Sequence, residues 1–311
     1  MEKIVEPIAL SLIKSELNSD TFVRKTNKGE NEIYIFDHRN APYLLQEVGR
    51  LREVTFRAAG GGTGKPVDID HFDIEPDTPY EQLIVWDPEE EEIVGGYRFI
   101  KCNHIKFDNG EPLLATSHLF NFSDRFISNY LPHTIELGRS FVQPKYQPSP
   151  ENRKGLFSLD NLWDGLGAIV VDNPTFRHFF GKVTMYLDFN QEARDCILSF
   201  MNTIFPDNEH LVTVKNQLPY HGDVSEFTSS IQDLNYKEAH KILNGKVRSL
   251  GENIPPLINA YMNLSSTMKT FGTALNDHFG DVEETGILVT IDDIYDSKKE
   301  RHIDTYQPKG K

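Results

Sequence analysis

"AAGGGTGKPVDIDHFD" (58–73) joins a glycine-rich loop to three aspartates, and its reading decides between two kinds of α/β fold. A P-loop protein needs G-x-x-x-x-G-K-[ST] after a strand and at the start of a helix. Aligned on Gly64-Lys65, the chain has Ala59 at the first glycine and Pro66 at the hydroxyl that should hold magnesium. The context is reversed too. "APYLLQEVGRLREVTFRAAG" (41–60) spaces Leu44, Val48, Leu51, Val54 and Thr55 as one helix face, with Gly60 as its stop. A dinucleotide-binding fingerprint fails on the same context. What remains is a glycine hinge, expected to be mobile, that serves as a lid or as a plain surface loop. Behind it, Asp68 and Asp70 share a face of an extended segment, and Asp73 lies three residues further on. Such a cluster can hold a metal, solvate a loop or receive a cationic amine. His71 stands among the aspartates, but the spacing fits no known ligand set, so no metal is expected.

Working outward, "NEIYIFD" (31–37) alternates as a first strand, and "EQLIVWD" with "EEIVGGYRFIKC" flanks "PEEE" as a hairpin. The acidic run is then a solvated turn. "HTIELGRSFVQ" (133–143) reads as a strand, "LFSLDNLWDGLGAIVVDN" as a long helix, "KVTMYLDF" (182–189) as a strand and "QEARDCILSFMNTIF" as a helix stopped by Pro206. This order predicts an α/β (α+β) fold with a mixed sheet. Residues 1–29 form an N-terminal extension with a short amphipathic helix at 8–17 carrying Ile8, Leu12 and Ile13. We place the core at 30–206, a polar insertion or cap at 207–252 with a helix at 236–250, and a C-terminal part at 253–311 that completes the sheet through "TGILVTIDDI".

Composition narrows the function. Net charge is -15, with 47 acidic against 32 basic residues, which argues against a duplex nucleic-acid binder. Mean hydropathy is -0.46, and no apolar run is long enough to span a bilayer. "MEKIVEPIALSLIKSEL" interrupts its apolar residues with charges, unlike a secretory signal, so it is read as part of the mature protein. Two cysteines, Cys102 and Cys196, make no disulfide framework and suit a reducing cytoplasmic compartment.

Four strings then occur in order: "LREVTFR" (51–57), "DIDHFD" (68–73), "EEIVGGYRFI" (91–100) and "IELGRSFVQPKYQ" (135–147). Together they resemble the acyl-homoserine-lactone synthase branch of the GNAT acyltransferase superfamily. They resemble more closely its hemolysin-like, ornithine-lipid-synthase type. "SLDNLWDGLGAIVVDNP" (158–174) and "IPPLINAYMNL" (254–264) extend the match over roughly residues 30–291. The resemblance implies a twisted, mostly antiparallel sheet flanked by helices. It also implies transfer of a fatty or 3-hydroxy-fatty acyl group from acyl carrier protein to the α-amine of glycine or ornithine. An acetyl-CoA-dependent N-acetyltransferase is the other enzyme reading, and a non-catalytic membrane-active protein the reading from a different class. No pore-forming pattern is present.

Amide formation from a thioester needs a deprotonated amine, a polarised carbonyl and a bound pantetheine arm. Glu136 lies on an otherwise apolar strand, as a general base or a paired structural carboxylate. Arg139, three residues on, falls on the opposite face unless a bulge near Gly138 joins the two. The same bulge would turn backbone N–H groups near Phe141 and Val142 to the thioester oxygen. Tyr186 is a general acid for the leaving thiolate or a core tyrosine. By resemblance, Asp68, Asp70 and Asp73 receive the acceptor's ammonium, with Arg52 and Arg98 holding the aspartates or the acceptor carboxylate. Phe56, Phe72, Trp86 and Phe141 line an acyl tunnel or belong to the core. Arg153, Lys154 and Gly155, before the long helix, are expected to meet a phosphate. The GNAT loop [QR]-x-x-G-x-[GA], aligned on Gly155, meets Asn152 and the bulky Phe157, which favours a single pantetheine phosphate over coenzyme A. Lys145 joins Arg139, Arg153 and Lys154 in an expected basic docking patch. A long-chain product implies peripheral contact with the inner face of the cytoplasmic membrane.

Overall fold

The hairpin forms where the two segments flanking "PEEE" place it. β3 (Glu81–Asp87) and β4 (Glu92–Lys101) pair antiparallel, and the Asp87 carboxylate accepts from the N–H groups of Glu89 and Glu90 at 2.9 and 3.2 Å to close the turn. A computed structural model describes residues 1–148 and 154–308. Two compact units interleave along the chain: Met1–Ile105, Ile135–Phe176 and Asp296–Lys311 form the first, Lys106–Thr134 and Arg177–Tyr295 the second.

In the first unit the hairpin is extended by β1 (Phe22–Lys25) and β2 (Glu32–Phe36) on one side and by β5 (Thr134–Val142) on the other. The order is β1-β2-β3-β4-β5, with every pair antiparallel. β1 was not legible in the sequence: "FVRK" is too short and too exposed to alternate. Helix α2 (Pro42–Ala58) and helix α3 (Ser158–Asp172) cover opposite faces. Gln82 of β3 meets Arg52 of α2, whereas its neighbour Leu83 lies against Gly165 of α3 so closely that a Cβ there would sit 2.6 Å from a leucine methyl.

The N-terminal helix α1 is shorter than expected, Leu10–Glu16, and buries Ile13 and Glu16, leaving Leu12 exposed. Its role is polar as much as apolar. α2 has no capping side chain of its own, and the Glu16 carboxylate accepts from the N–H groups of Tyr43 and Leu44 at 3.1 and 2.7 Å. α8 (Asp296–His302) packs on α3, where His302 Nδ1 lies 2.7 Å from buried Asp164.

The second unit holds β6 (His178–Met185), β7 (Lys269–Asn276) and β8 (Val282–Thr290), antiparallel with β8 in the middle. β6 begins earlier than the sequence suggested, and Phe179 and Phe180 are both buried there. α4 (Gln191–Ile204) packs with α5 (Ser225–Ile231) and α6 (Tyr236–Ser249), and α7 (Pro256–Met262) precedes β7. Phe120, Phe126 and Phe271 surround Phe180 with ring centroids 5.5–6.2 Å apart. Cys102 and Cys196 are both buried free thiols. Among the described residues, no helix is long and apolar enough to cross a membrane.

Candidate active site

The glycine loop is held, not hinged. Gly60, Gly62 and Gly64 all adopt positive φ, the conformation that favours glycine. Glu53, wholly buried on α2, accepts from the Gly64 N–H at 2.7 Å, the Thr63 N–H at 3.0 Å and the Thr63 hydroxyl at 2.9 Å, and pairs with Arg57 at 2.7 Å. The Glu2 N–H donates to the Gly64 carbonyl at 2.8 Å from the far side. A buried carboxylate facing several donors removes the freedom that consecutive glycines would otherwise have, so the mobile lid expected from composition is corrected to a pinned loop. We expect Glu53→Ala to cost about 1–3 kcal/mol, because it strands the loop's donors. Urea unfolding reads the loss, and protease cutting within residues 60–66 should accelerate with it.

The pinned loop delivers the aspartates. The Asp68 N–H donates to the Gly49 carbonyl at 3.1 Å, and Val67 and Ile69 lie where a Gly49 Cβ would come within 2.7 Å of each. Gly49 is therefore a flat place on α2 that seats this segment. Asp73 is fully buried and gathers four donors: Arg52 at 3.4 Å, the Gln82 amide at 3.0 Å, the Asp70 N–H at 3.1 Å and Arg98 at 3.1 Å. Asp70 accepts from Arg98 at 2.8 Å, and Asp68 forms an ion pair with Arg139, whose Nε lies 2.8 Å away without hydrogen-bond geometry. The five acceptor-side residues named from sequence, Arg52, Asp68, Asp70, Asp73 and Arg98, are thus one network. Gln82, which also bonds Arg52, escaped notice because nothing in a strand sequence marks which glutamine is buried.

Burial acts on Arg52, Arg98 and Asp70. It drives Arg52 below its usual pKa against the pull of Asp73 and Asp68. For Arg98 burial works in the same direction but is outweighed by Asp73, Asp70 and Asp68, which raise it. At Asp70 burial opposes ionisation, yet Arg98 and Arg139 hold its carboxyl well below the usual carboxylate range. The network is charged and internally balanced.

The expected bulge lies on β5. Arg98 pairs with Gly138 and Gly96 with Phe141, so Arg139 and Ser140 oppose the single residue Tyr97, and Arg139 takes φ 48°. The extra residue shifts the alternation by one, which puts Phe141 on the same face as Glu136 and sets its ring against Gly96. Val142 pairs with Gly95 on the other face. Glu136 is 1% exposed and accepts a hydrogen bond from the hydroxyl of buried Tyr80. The Arg98 guanidinium stands 5.1 Å over the Tyr80 ring, linking Glu136 to the charged network. Tyr80 was missed because the sequence shows it only as the end of a turn-rich stretch. Beside this carboxylate, burial and the Glu136 charge push the Cys102 thiol well up, so Cys102 is not a nucleophile.

The remaining predicted residues divide. Phe56, Trp86 and Phe141 are buried, and Phe72 meets the Tyr80 ring edge-on at 5.5 Å. Tyr186 belongs to the second unit and follows the last residue of β6, instead of lying within the strand. Burial, with Glu284 and Asp188, pushes it up to about 12. Gly155 is buried in a 3₁₀ turn (Lys154–Phe157) ahead of α3, where a Cβ would lie 2.6 Å from the Gln147 carbonyl. That close approach gives Gly155 a packing reason. Arg153 lies outside the described residues, as does the side chain of Lys154. Lys145 is engaged by Glu92 at 2.8 Å and Glu90 at 3.7 Å, and Arg139 by Asp68, so these two bring no uncompensated charge to the expected docking patch.

A buried carboxylate held by a phenol, a bulge further along its own strand and a balanced set of charges form a site suited to proton transfer and to a zwitterionic ligand. The sequence pattern of the Acetyltransferase (GNAT) domain matches residues 51–153, which span Arg52 to Arg139 and so include this site. A protein of Bacteroides thetaiotaomicron named glycine N(alpha)-acyltransferase is 54% identical over 307 residues, covering 98% of this chain and 91% of its own. The chain belongs to the GNAT acyltransferases. A protein of the same name from Phocaeicola vulgatus is 51% identical over 307 residues, covering 98% of this chain and 94% of its own. The crystal structure of the AHL synthase LasI aligns with 50% of this chain and 74% of that one, at 14% identity and a TM-score of 0.34. As a GNAT acyltransferase, the protein takes an acyl donor, and its fold is the mixed α/β arrangement with a mostly antiparallel sheet that the sequence led us to expect.

Proposed function

We propose that this acyltransferase moves a fatty or 3-hydroxy-fatty acyl group from the phosphopantetheine thioester of acyl carrier protein to the α-amine of glycine, giving an N-acylglycine for amino-acid lipid synthesis. The observation that carries the reading is the 54% identity, over nearly the whole chain, to a protein named glycine N(alpha)-acyltransferase. That name favours glycine over ornithine. The site supports it chemically. Glu136, 1% exposed, takes through a water the proton that makes the ammonium a nucleophilic amine. The amine nitrogen attacks the thioester carbonyl carbon, backbone N–H groups of the β5 bulge near Phe141 receive the negative oxygen, and the C–S bond breaks. The second amine proton goes to the departing thiolate, so the products are the amide and a free thiol.

For the donor, Phe157 supports a carrier protein over coenzyme A: it is exposed at the start of α3, with Lys28 Nζ 5.2 Å over its ring, where a tight pyrophosphate cradle would need a small residue. The amphiphilic product puts the enzyme in the cytoplasm with transient contact to the inner face of the membrane. The test pairs glycine and ornithine with acyl-carrier protein, acyl-CoA and acetyl-CoA, and detects the amide by mass spectrometry. N-acylglycine from acyl-carrier protein is the expected product. Turnover with acetyl-CoA alone overturns the reading in favour of an N-acetyltransferase, and no turnover with any pair overturns it outright.

A further inference from the structure

The charged network has an interior and a face. Side chains of Arg52 and Asp73 are 0% exposed, Asp68 is 1% and Arg98 3%, so a ligand reaches none of them without opening the core. Asp70 is 28% exposed and Arg139 12%. These two carry opposite charges, and Arg139 Nη2 lies 3.9 Å from Asp70 Oδ2, beyond hydrogen-bond reach but close enough to act on one small ligand.

Their placement is built. Arg139 sits at φ 48° on the bulge, a conformation that costs a residue with a Cβ about 1–2 kcal/mol. Backbone strain of this kind persists where the surroundings hold it, and it concentrates at functional positions. Without the bulge, Arg139 would fall on the face of the sheet opposite Glu136, away from α2. The Asp68 carboxylate pairs with the guanidinium as a counter-ion 2.8 Å from Nε, and Arg98 holds Asp70 by a hydrogen bond. The buried arginines and aspartates thus act as a frame for one accessible anion and one accessible cation.

We propose that Asp70 and Arg139 form a two-point clamp for a free α-amino acid, Asp70 taking the ammonium and Arg139 the α-carboxylate. This deepens the acceptor reading above and rests on it. An α-amino acid carries its ammonium and its carboxylate on one carbon, so the two charges are close together, as Asp70 and Arg139 are. An amine without the carboxylate makes only the Asp70 contact of the two, and an added methylene spreads the two charges. The clamp therefore selects α-amino acids over simple amines, amino-acid amides and β-amino acids. Asp70 also keeps the nitrogen near the Glu136 side of the sheet, since Asp70, Arg98, Tyr80 and Glu136 form one chain of contacts.

The test uses the wild-type protein, so that folding of a variant is not at issue. Each amino acid that is acylated is compared with its own amide, and glycine also with β-alanine, at fixed acyl donor. The amide's amine is the less basic one and the richer in neutral amine at neutral pH, so intrinsic reactivity runs against the expected result. The amide should fall by roughly 10²-fold or more in kcat/KM, as when a buried charge partner is left unanswered. Amide and acid within threefold of each other overturn the clamp while leaving the acyltransferase reading intact; a protein that acylates no amine overturns both. A second arm uses Arg139→Gln. The KM for the amino acid should rise roughly 10²-fold, with the KM for the donor within threefold and the discrimination between acid and amide lost. Retained discrimination in a folded variant overturns the clamp.

Discussion

Glu136→Gln is expected to lower turnover by roughly 10²–10⁴-fold, the range that a positioned general base contributes, with the unfolding midpoint nearly unchanged. The separation of the two effects follows from the site. Glutamine keeps the shape and an oxygen that can accept the Tyr80 hydroxyl, so the contact that seats residue 136 survives. What it loses is the capacity to take a proton. A merely structural carboxylate predicts the reverse pattern, a stability change and a rate that follows the folded fraction. Single-turnover rates beside a urea titration distinguish them, and a folded variant within threefold of wild-type rate excludes Glu136 as the base.

The largest stability effect is expected at Asp73. Removing it by Asp73→Ala leaves buried Arg52 without its carboxylate partner and buried Arg98 with Asp70 alone, and takes an acceptor from the Gln82 amide and the Asp70 N–H. Breaking a buried pair from one side costs roughly 3–5 kcal/mol, and a domain of ordinary stability has only about 5–15 kcal/mol in total. Asp73→Ala should therefore be mostly unfolded or insoluble near physiological temperature. Asp70→Asn, at the accessible edge of the same network, should fold. Urea midpoints for the two variants decide it: equal losses at both positions would contradict a division into buried frame and accessible face.

Much of the fold was legible in local pattern. "NEIYIFD" alternates as a strand does, "EQLIVWD" is an apolar run because both faces of its strand are covered, and α2 repeats at helical spacing because one stripe faces the sheet. The site was legible in composition and, through resemblance, in membership: Arg52, Asp68, Asp70, Asp73, Arg98 and Glu136 were all named before their contacts were known. Glu53, Tyr80 and Gln82 were not. A glutamate on an amphipathic helix, a tyrosine after a turn and a glutamine in a strand have ordinary exposed counterparts with the same local sequence. Their burial is set by partners 10, 56 and 30 residues away, at Thr63, Glu136 and Arg52 respectively. The glycine loop was misjudged for the same reason, since its freedom was removed by a side chain on the preceding helix.

By itself, then, the sequence determined the elements, the failure of the phosphate-loop reading, the family and the chemical types at the site. Tertiary structure decided which charges are frame and which are face, that the bulge turns Arg139 towards Asp68 and Asp70, and that the loop at 60–64 is pinned. The physical reason is range. Periodicity is a property of neighbours along the chain, whereas the free energy of a buried charge depends on counter-charges that only folding brings within a few ångströms.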